Sequence, residues 1–167
     1  MTPEELVERL GPRFDDISLA HGEVTVVTTR ERLVEQLVAL KGDPELGFDF
    51  LADVSGTDWP DRDLRFWVAY HLYSIEGKHR LRLKVGVPEN DVHVPTITEV
   101  FPGADFLERE VYDMLGVEFD GHPDMRRILL PEDWDGHPHR KDEELGGVRT
   151  QYKGGAFIPP IDQRLHK

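Results

Sequence analysis

Side chains able to do chemistry concentrate between residues 105 and 142. Glu108 and Glu110 are paired carboxylates of the type that divide general acid and base work. Positions two apart on a helix do not face each other, which excludes a glycosidase-like pair. Further on, Asp120-Gly121-His122-Pro123 is echoed by Asp135-Gly136-His137-Pro138, and each copy is followed by basic residues, Arg126-Arg127 and Arg140-Lys141. His122, His137 and His139 with Asp133 or Asp135 could hold zinc or iron as a stand-alone metalloenzyme. The competing reading makes the echo two matched corners: Asp-Gly supplies a turn, and a histidine before proline is biased to an extended backbone. In an extended stretch His137 and His139 point to opposite sides, which works against a shared ion. Arg126, Arg127, Arg140 and Lys141 are interleaved with acids, with Trp134 and with Ile128-Leu129-Leu130. Forked donors with aromatic and aliphatic anchors have the makeup of an interface core, or of an arm folded back on its own domain.

Composition removes several other chemistries. The 167 residues contain no cysteine, so they offer no disulfide, thiolate zinc site, cysteine nucleophile or thiolate-held iron–sulfur cluster. Gly146-Gly147 and Gly154-Gly155 lack the lysine and helix of a phosphate-cradling loop, and no GxSxG elbow occurs. A net charge of −13 argues against a general grip on nucleic acid or an anionic membrane and points to a basic or neutral partner surface. No apolar run approaches the roughly 20 residues of a membrane span, and the first residues lack a signal peptide's pattern, so a soluble cytoplasmic chain is expected.

The elements that must position these groups are legible in outline. Thr2-Pro3-Glu4-Glu5 is a capping box opening a helix that Gly11-Pro12 stops. Residues 23–28 are β-branched and predict a strand. Thr28 to Glu31 reads as a second capping box, before a helix with Leu33, Leu37 and Leu40 on one face and Gly42 at its end. Residues 46–56 predict an irregular strand with a structural Asp53. Residues 64–73 and 79–87 predict a hairpin whose second strand alternates Leu81, Leu83, Val85 and Val87 with Arg80, Arg82 and Lys84, either an anion site or a solvated face. A short helix is expected within residues 94–101. The next is expected to be capped by Asp105, striped by Leu107, Val111, Met114 and Leu115, and closed by a left-handed Gly116. On it Asp105, Arg109 and Asp113 lie four apart, spaced to pair along an exposed face.

Together these elements predict an α+β fold, a two-layer domain with a largely antiparallel or mixed sheet packed by helices. Residues 1–121 hold 25 acidic and 12 basic side chains and form its acidic body. Residues 122–167 hold eight of each and are broken by prolines and glycines, as expected of an extended C-terminal arm. Exposed Ile128, Leu129 and Trp134 would be costly in water, so without partners the arm is expected to move or to cover itself.

The run Glu108-Arg109-Glu110-Val111-Tyr112-Asp113-Met114-Leu115-Gly116, with Asp120-Gly121-His122-Pro123, Arg126-Arg127-Ile128-Leu129-Leu130-Pro131 and the Trp134 to Asp142 continuation, resembles the signature of the thirty-kilodalton subunit family of respiratory complex I. Phe106, Leu115 and His139 stand where that family often has other residues. The resemblance implies a cofactor-free peripheral-arm subunit on the cytoplasmic face of the cell membrane. Its partners would be the subunits carrying the terminal iron–sulfur cluster and the quinone site, in an assembly holding FMN, iron–sulfur clusters, NADH and a quinone. It implies no catalytic, cofactor-binding or metal-binding residue in this chain. Glu108, Arg109, Glu110, Arg126, Arg127, Trp134, Arg140 and Lys141 become the expected partner-docking residues. A related membrane-bound hydrogenase or another quinone-linked dehydrogenase would use a similar subunit.

Overall fold

Alternation of period two governs β4 (Phe66–Ser74) and β5 (His79–Val87): Phe66, Val68, Tyr70 and Leu72 on one strand and Leu81, Leu83, Val85 and Val87 on the other are buried. Their partners on the opposite face remain accessible, so helices cover one side only. The computed structural model describes residues 1–143. The arm expected over residues 122–167 is described to residue 143, and the rest of that range lies outside the described residues.

The main sheet has the order β1-β2-β5-β4-β3, with β1 (Asp16–Ala20), β2 (Glu23–Thr28) and β3 (Phe50–Asp58). It is mixed. Strands β2 and β5 run parallel and the other three pairings are antiparallel. Strand β1 shows no alternation of burial, because it is an edge strand with only Ile17 partly buried. It joins β2 through His21 and Gly22, both left-handed (φ 53° and 77°), the conformation a two-residue hairpin turn requires. Asp53 lies exposed where the β3 register shifts.

Helix α1 (Pro3–Leu10) starts with the Thr2–Glu5 capping box and packs on β1 and β2. Helix α2 (Arg30–Gly42) buries Leu33, Leu37 and Leu40. Its N-cap is Thr29, without a side-chain cap bond, whereas Thr28 ends β2; the expected second capping box is therefore not formed. The helix expected within residues 94–101 is also replaced. His93–Pro95 is β6, parallel to β7 (Glu118–Asp120), and Ile97 to Phe101 make a single turn. The β6–β7 ladder and the two prolines that flank the segment outcompete a helix there.

Helix α3 (Ala104–Leu115) lies on β3 at Gly56, where a Cβ would collide with Leu115 and crowd Val111. Its N-cap is Gly103, not Asp105, which falls in the first turn instead. Gly116 closes it in the left-handed conformation (φ 72°), with its N–H bonded to the Tyr112 carbonyl.

Candidate docking site

An aspartate in the last turn of a helix opposes the helix dipole and needs compensation. Asp113 obtains it from the chain that follows α3. Its Oδ2 accepts the backbone N–H groups of Ile128, Leu129 and Leu130 at 3.0, 2.8 and 2.9 Å, and its Oδ1 accepts Arg127 Nη1 at 2.7 Å. Burial alone would raise this carboxyl, but the three amides and the guanidinium outweigh it and pull it down to about 2. The exposed pairing expected along Asp105, Arg109 and Asp113 is thus not what forms. Asp113 is buried, and Arg109 donates to the carbonyls of Arg126 and Arg127.

The other end of the segment caps the same helix. The orphan carbonyls of the last turn are taken by His137 Nδ1 on Asp113 (3.0 Å), the His139 N–H on Met114 (3.0 Å) and Arg140 Nε on Leu115 (2.7 Å). Arg127 Nη2 also reaches the carbonyls of Trp134 and Gly136, closing the loop between the two corners. Both Asp-Gly corners turn through left-handed glycines, Gly121 (φ 82°) and Gly136 (φ 84°). Beyond them the Lys141 N–H meets Asp58, a buried carboxylate held by Arg65 at 2.8 and 3.0 Å and lowered chiefly by that pairing. Residues 122–143 therefore lie clamped along α3 by groups of this chain.

The expected docking residues separate into two sets. Glu108 is fully buried; Thr96 Oγ1 (2.6 Å) and the Ile97 N–H (2.8 Å) donate to it. Its carboxyl is pushed up to about 7 by burial, with Asp105 adding to the effect. Arg109, Arg127 and Arg140 shape the segment from within. Glu110, Arg126 and Lys141 are exposed and Trp134 is half-buried. Arg126 forms a bidentate pair with Asp124 at 2.6 and 2.7 Å. Phe106 on α3 and Ile128 and Leu129 in the segment leave apolar surface in solvent, at 62%, 37% and 59% exposure.

The histidines do not converge. His122 bonds the Asp105 carbonyl, His137 the Asp113 carbonyl, and His139 is exposed. Among the described residues no group of three or more His, Cys, Asp or Glu is placed to hold a metal ion. Asp113 and the Asp58–Arg65 pair were not singled out by residue type and spacing as organising groups. The acid in a helix's last turn was the available signal for the first, whereas the second joins residues that only tertiary structure brings to the segment.

Fold and site define an α+β domain whose charged side chains bind residues 122–143 to its third helix and leave Phe106, Ile128 and Leu129 exposed. Residues 26–149 match the family described as the 30 kDa subunit of respiratory-chain NADH dehydrogenase, and the chain belongs to that family. It is 48% identical over 149 residues to the C subunit of NADH-quinone oxidoreductase from Saccharopolyspora erythraea, covering 89% of this chain and 59% of that protein. It is 47% identical over 164 residues to the protein of the same name from Nocardioides sp., covering 98% and 64%. The chain thus spans about six-tenths of the length of these two relatives. A trypsin-resistant fragment (1-134) of Nqo5 superposes with a TM-score of 0.65 at 40% identity, over 74% of this chain and 99% of the fragment. A chain of the membrane-bound sulfane sulfur reductase, an archaeal respiratory membrane complex, shares the fold with a TM-score of 0.73 at 23% identity, over 85% of each.

Proposed function

We propose that this chain is the C subunit of an NADH–quinone oxidoreductase, a part of the enzyme that carries no catalytic group of its own. It sits in the peripheral arm on the cytoplasmic face of the cell membrane. There it docks on the subunits that hold the terminal iron–sulfur cluster and the quinone site. The observation that carries the reading is the family match over residues 26–149. The absence of cysteine from the sequence fits a chain whose neighbours hold the clusters, FMN, NADH and quinone. No helix among the described residues is long and apolar enough to cross a membrane, which fits attachment through the complex.

Residues 122–167 act in this reading as the docking arm on the acidic body of residues 1–121. Glu110, Arg126, Trp134 and Lys141 face the partner together with Phe106, Ile128 and Leu129. Glu108, Arg109, Arg127 and Arg140 hold the segment in shape for it. Purifying the tagged chain from solubilised membranes tests the proposal: a flavin- and cluster-bearing assembly with NADH-dependent quinone reduction is expected. A hydrogenase or a lone chain with stoichiometric zinc would overturn it. The paired substitution Ile128→Asp and Leu129→Asp should abolish copurification while changing the free chain's stability by under about 1 kcal/mol, since both side chains are outward.

A further inference from the structure

We propose, on the reading of this chain as a subunit of a larger complex, that the uncovered face of its main sheet is a second docking surface and takes an acidic segment of another subunit. This face is turned away from α3 and from residues 122–143, because Gly56, against which α3 packs, belongs to the opposite side of β3. Outward side chains cross it in register. At one end Tyr73 pairs with Arg80 and Phe50, and at the other Trp67 pairs with Gly86. Between those ends Ala69 lies beside Ser55 and Lys84, so two small side chains form the floor.

The shape is that of a trough with an anchor point. The indole of Trp67 lies against Gly86, where a Cβ would meet it at 2.9 Å. At the other end a hollow of about 390 Å³ opens among Phe50, Tyr73, His71 and Arg80, and Phe50 is 48% exposed. A sheet face built for water carries mainly polar side chains. This one presents tryptophan, tyrosine, phenylalanine and arginine, the residue types that protein interfaces concentrate.

Charge selects the occupant. Arg82 is held by Glu23 at 3.3 Å and by the Thr25 hydroxyl at 3.0 Å. Among the described residues Arg80 and Lys84 have no carboxylate within 4.0 Å; they lie over the rings of Tyr73 and Trp67, at 5.7 and 5.0 Å. Burial pulls Lys84 below the usual lysine range, and the Arg82 and Arg62 charges pull it further, so its own chain leaves positive field around it. Asp53 is the one acid on the face outside an ion pair among the described residues, and it lies across from His71. Acids outnumber bases by 25 to 12 over residues 1–121, yet none is spent on Arg80 or Lys84. The acidic body as a whole suits a basic or neutral partner, and this face is the exception. Arg80, Arg82 and Lys84 recur every about 6.6 Å along β5, the spacing of alternate side chains on an extended acidic segment. An apolar side chain of that segment would fill the hollow beside Phe50 and Tyr73.

Carbodiimide coupling of the purified complex tests the assignment, because this reagent joins an amine to a carboxylate only where the two touch. Peptide mapping should find Lys84 joined to an aspartate or glutamate of another subunit. Acetylation of Lys84 should be about tenfold slower or more in the complex than in the isolated chain, as expected where an interface excludes water and reagent. The pair Arg80→Glu and Lys84→Glu should lower retention of the coupled subunit about tenfold or more through like-charge repulsion, whereas Arg80→Lys with Lys84→Arg should retain it. Acetylation at equal rates in complex and isolated chain overturns the proposal and leaves membership of the complex standing. So does coupling of Lys84 only to acids of its own chain or of a second copy. A chain that purifies alone overturns both.

Discussion

Replacing Asp113 by alanine should detach the segment from α3, and the size of the effect can be worked from its four bonds. Three backbone N–H groups and the Arg127 guanidinium converge on one buried carboxylate. At about 1.5 kcal/mol or more for each bond to a charged group, the total exceeds the roughly 3–5 kcal/mol seen when one partner of a buried pair is removed. Residues 128 and 129 are exposed, so the freed amides can reach water once the segment lifts. That relief sets the expected loss near the lower end, about 3 kcal/mol at pH 7 by urea unfolding. Trypsin should then cut at Arg126 or Arg127 well before it cuts the sheet. The acid limb supplies a second magnitude. The folded carboxyl is depressed from 3.8 to about 2, so its ionised form adds about 2 kcal/mol above pH 4, lost as pH falls towards 2. Comparing wild type with Asp113→Asn isolates this contribution from those of Asp58 and Asp43, which are also depressed. An alanine variant within about 1 kcal/mol of wild type, with unchanged trypsin cleavage, would refute the clamp.

Two further substitutions probe the same assembly. Gly116→Ala should destabilise by about 1–2 kcal/mol from the left-handed backbone alone. The added Cβ would also press on Arg140 and His137, so thermal unfolding should fall further than for a left-handed glycine in open space such as Gly22. Arg65→Met strands the buried Asp58 carboxylate and should cost about 3–5 kcal/mol in urea unfolding, whereas adding Asp58→Leu should recover part of the loss.

Much of this molecule is readable from local pattern. The hairpin of β4 and β5 announces itself because a sheet covered on one side forces period-two alternation, and the Thr2–Glu5 box and Gly116 mark helix ends whose orphan backbone groups need partners. Strand β1 escaped because it is only five residues long and, as an edge strand, owes its existence to backbone pairing with β2: Ile17 and Leu19 alternate with Asp16 and Ser18, but Leu19 stays exposed, so the short pattern carries no burial signal. Strand β6 escaped because its partner, β7, is 25 residues away in register.

The candidate site divides along the same line. Residue types and spacing singled out residues 108–142 as the candidate region, with the two Asp-Gly corners within it and a family signature, all of them properties of neighbouring letters. Which charges face outward was decided by tertiary structure. Arg127 and Arg126 are adjacent and chemically identical, yet one is committed to Asp113 and two carbonyls while the other pairs in solvent with Asp124. Glu108 and Glu110 differ in the same way, one buried beside Asp105 and one exposed. The physical reason is that a buried charge takes its partners from whichever elements packing brings within about 3 Å, and chain positions about 15 to 80 residues away supply them here.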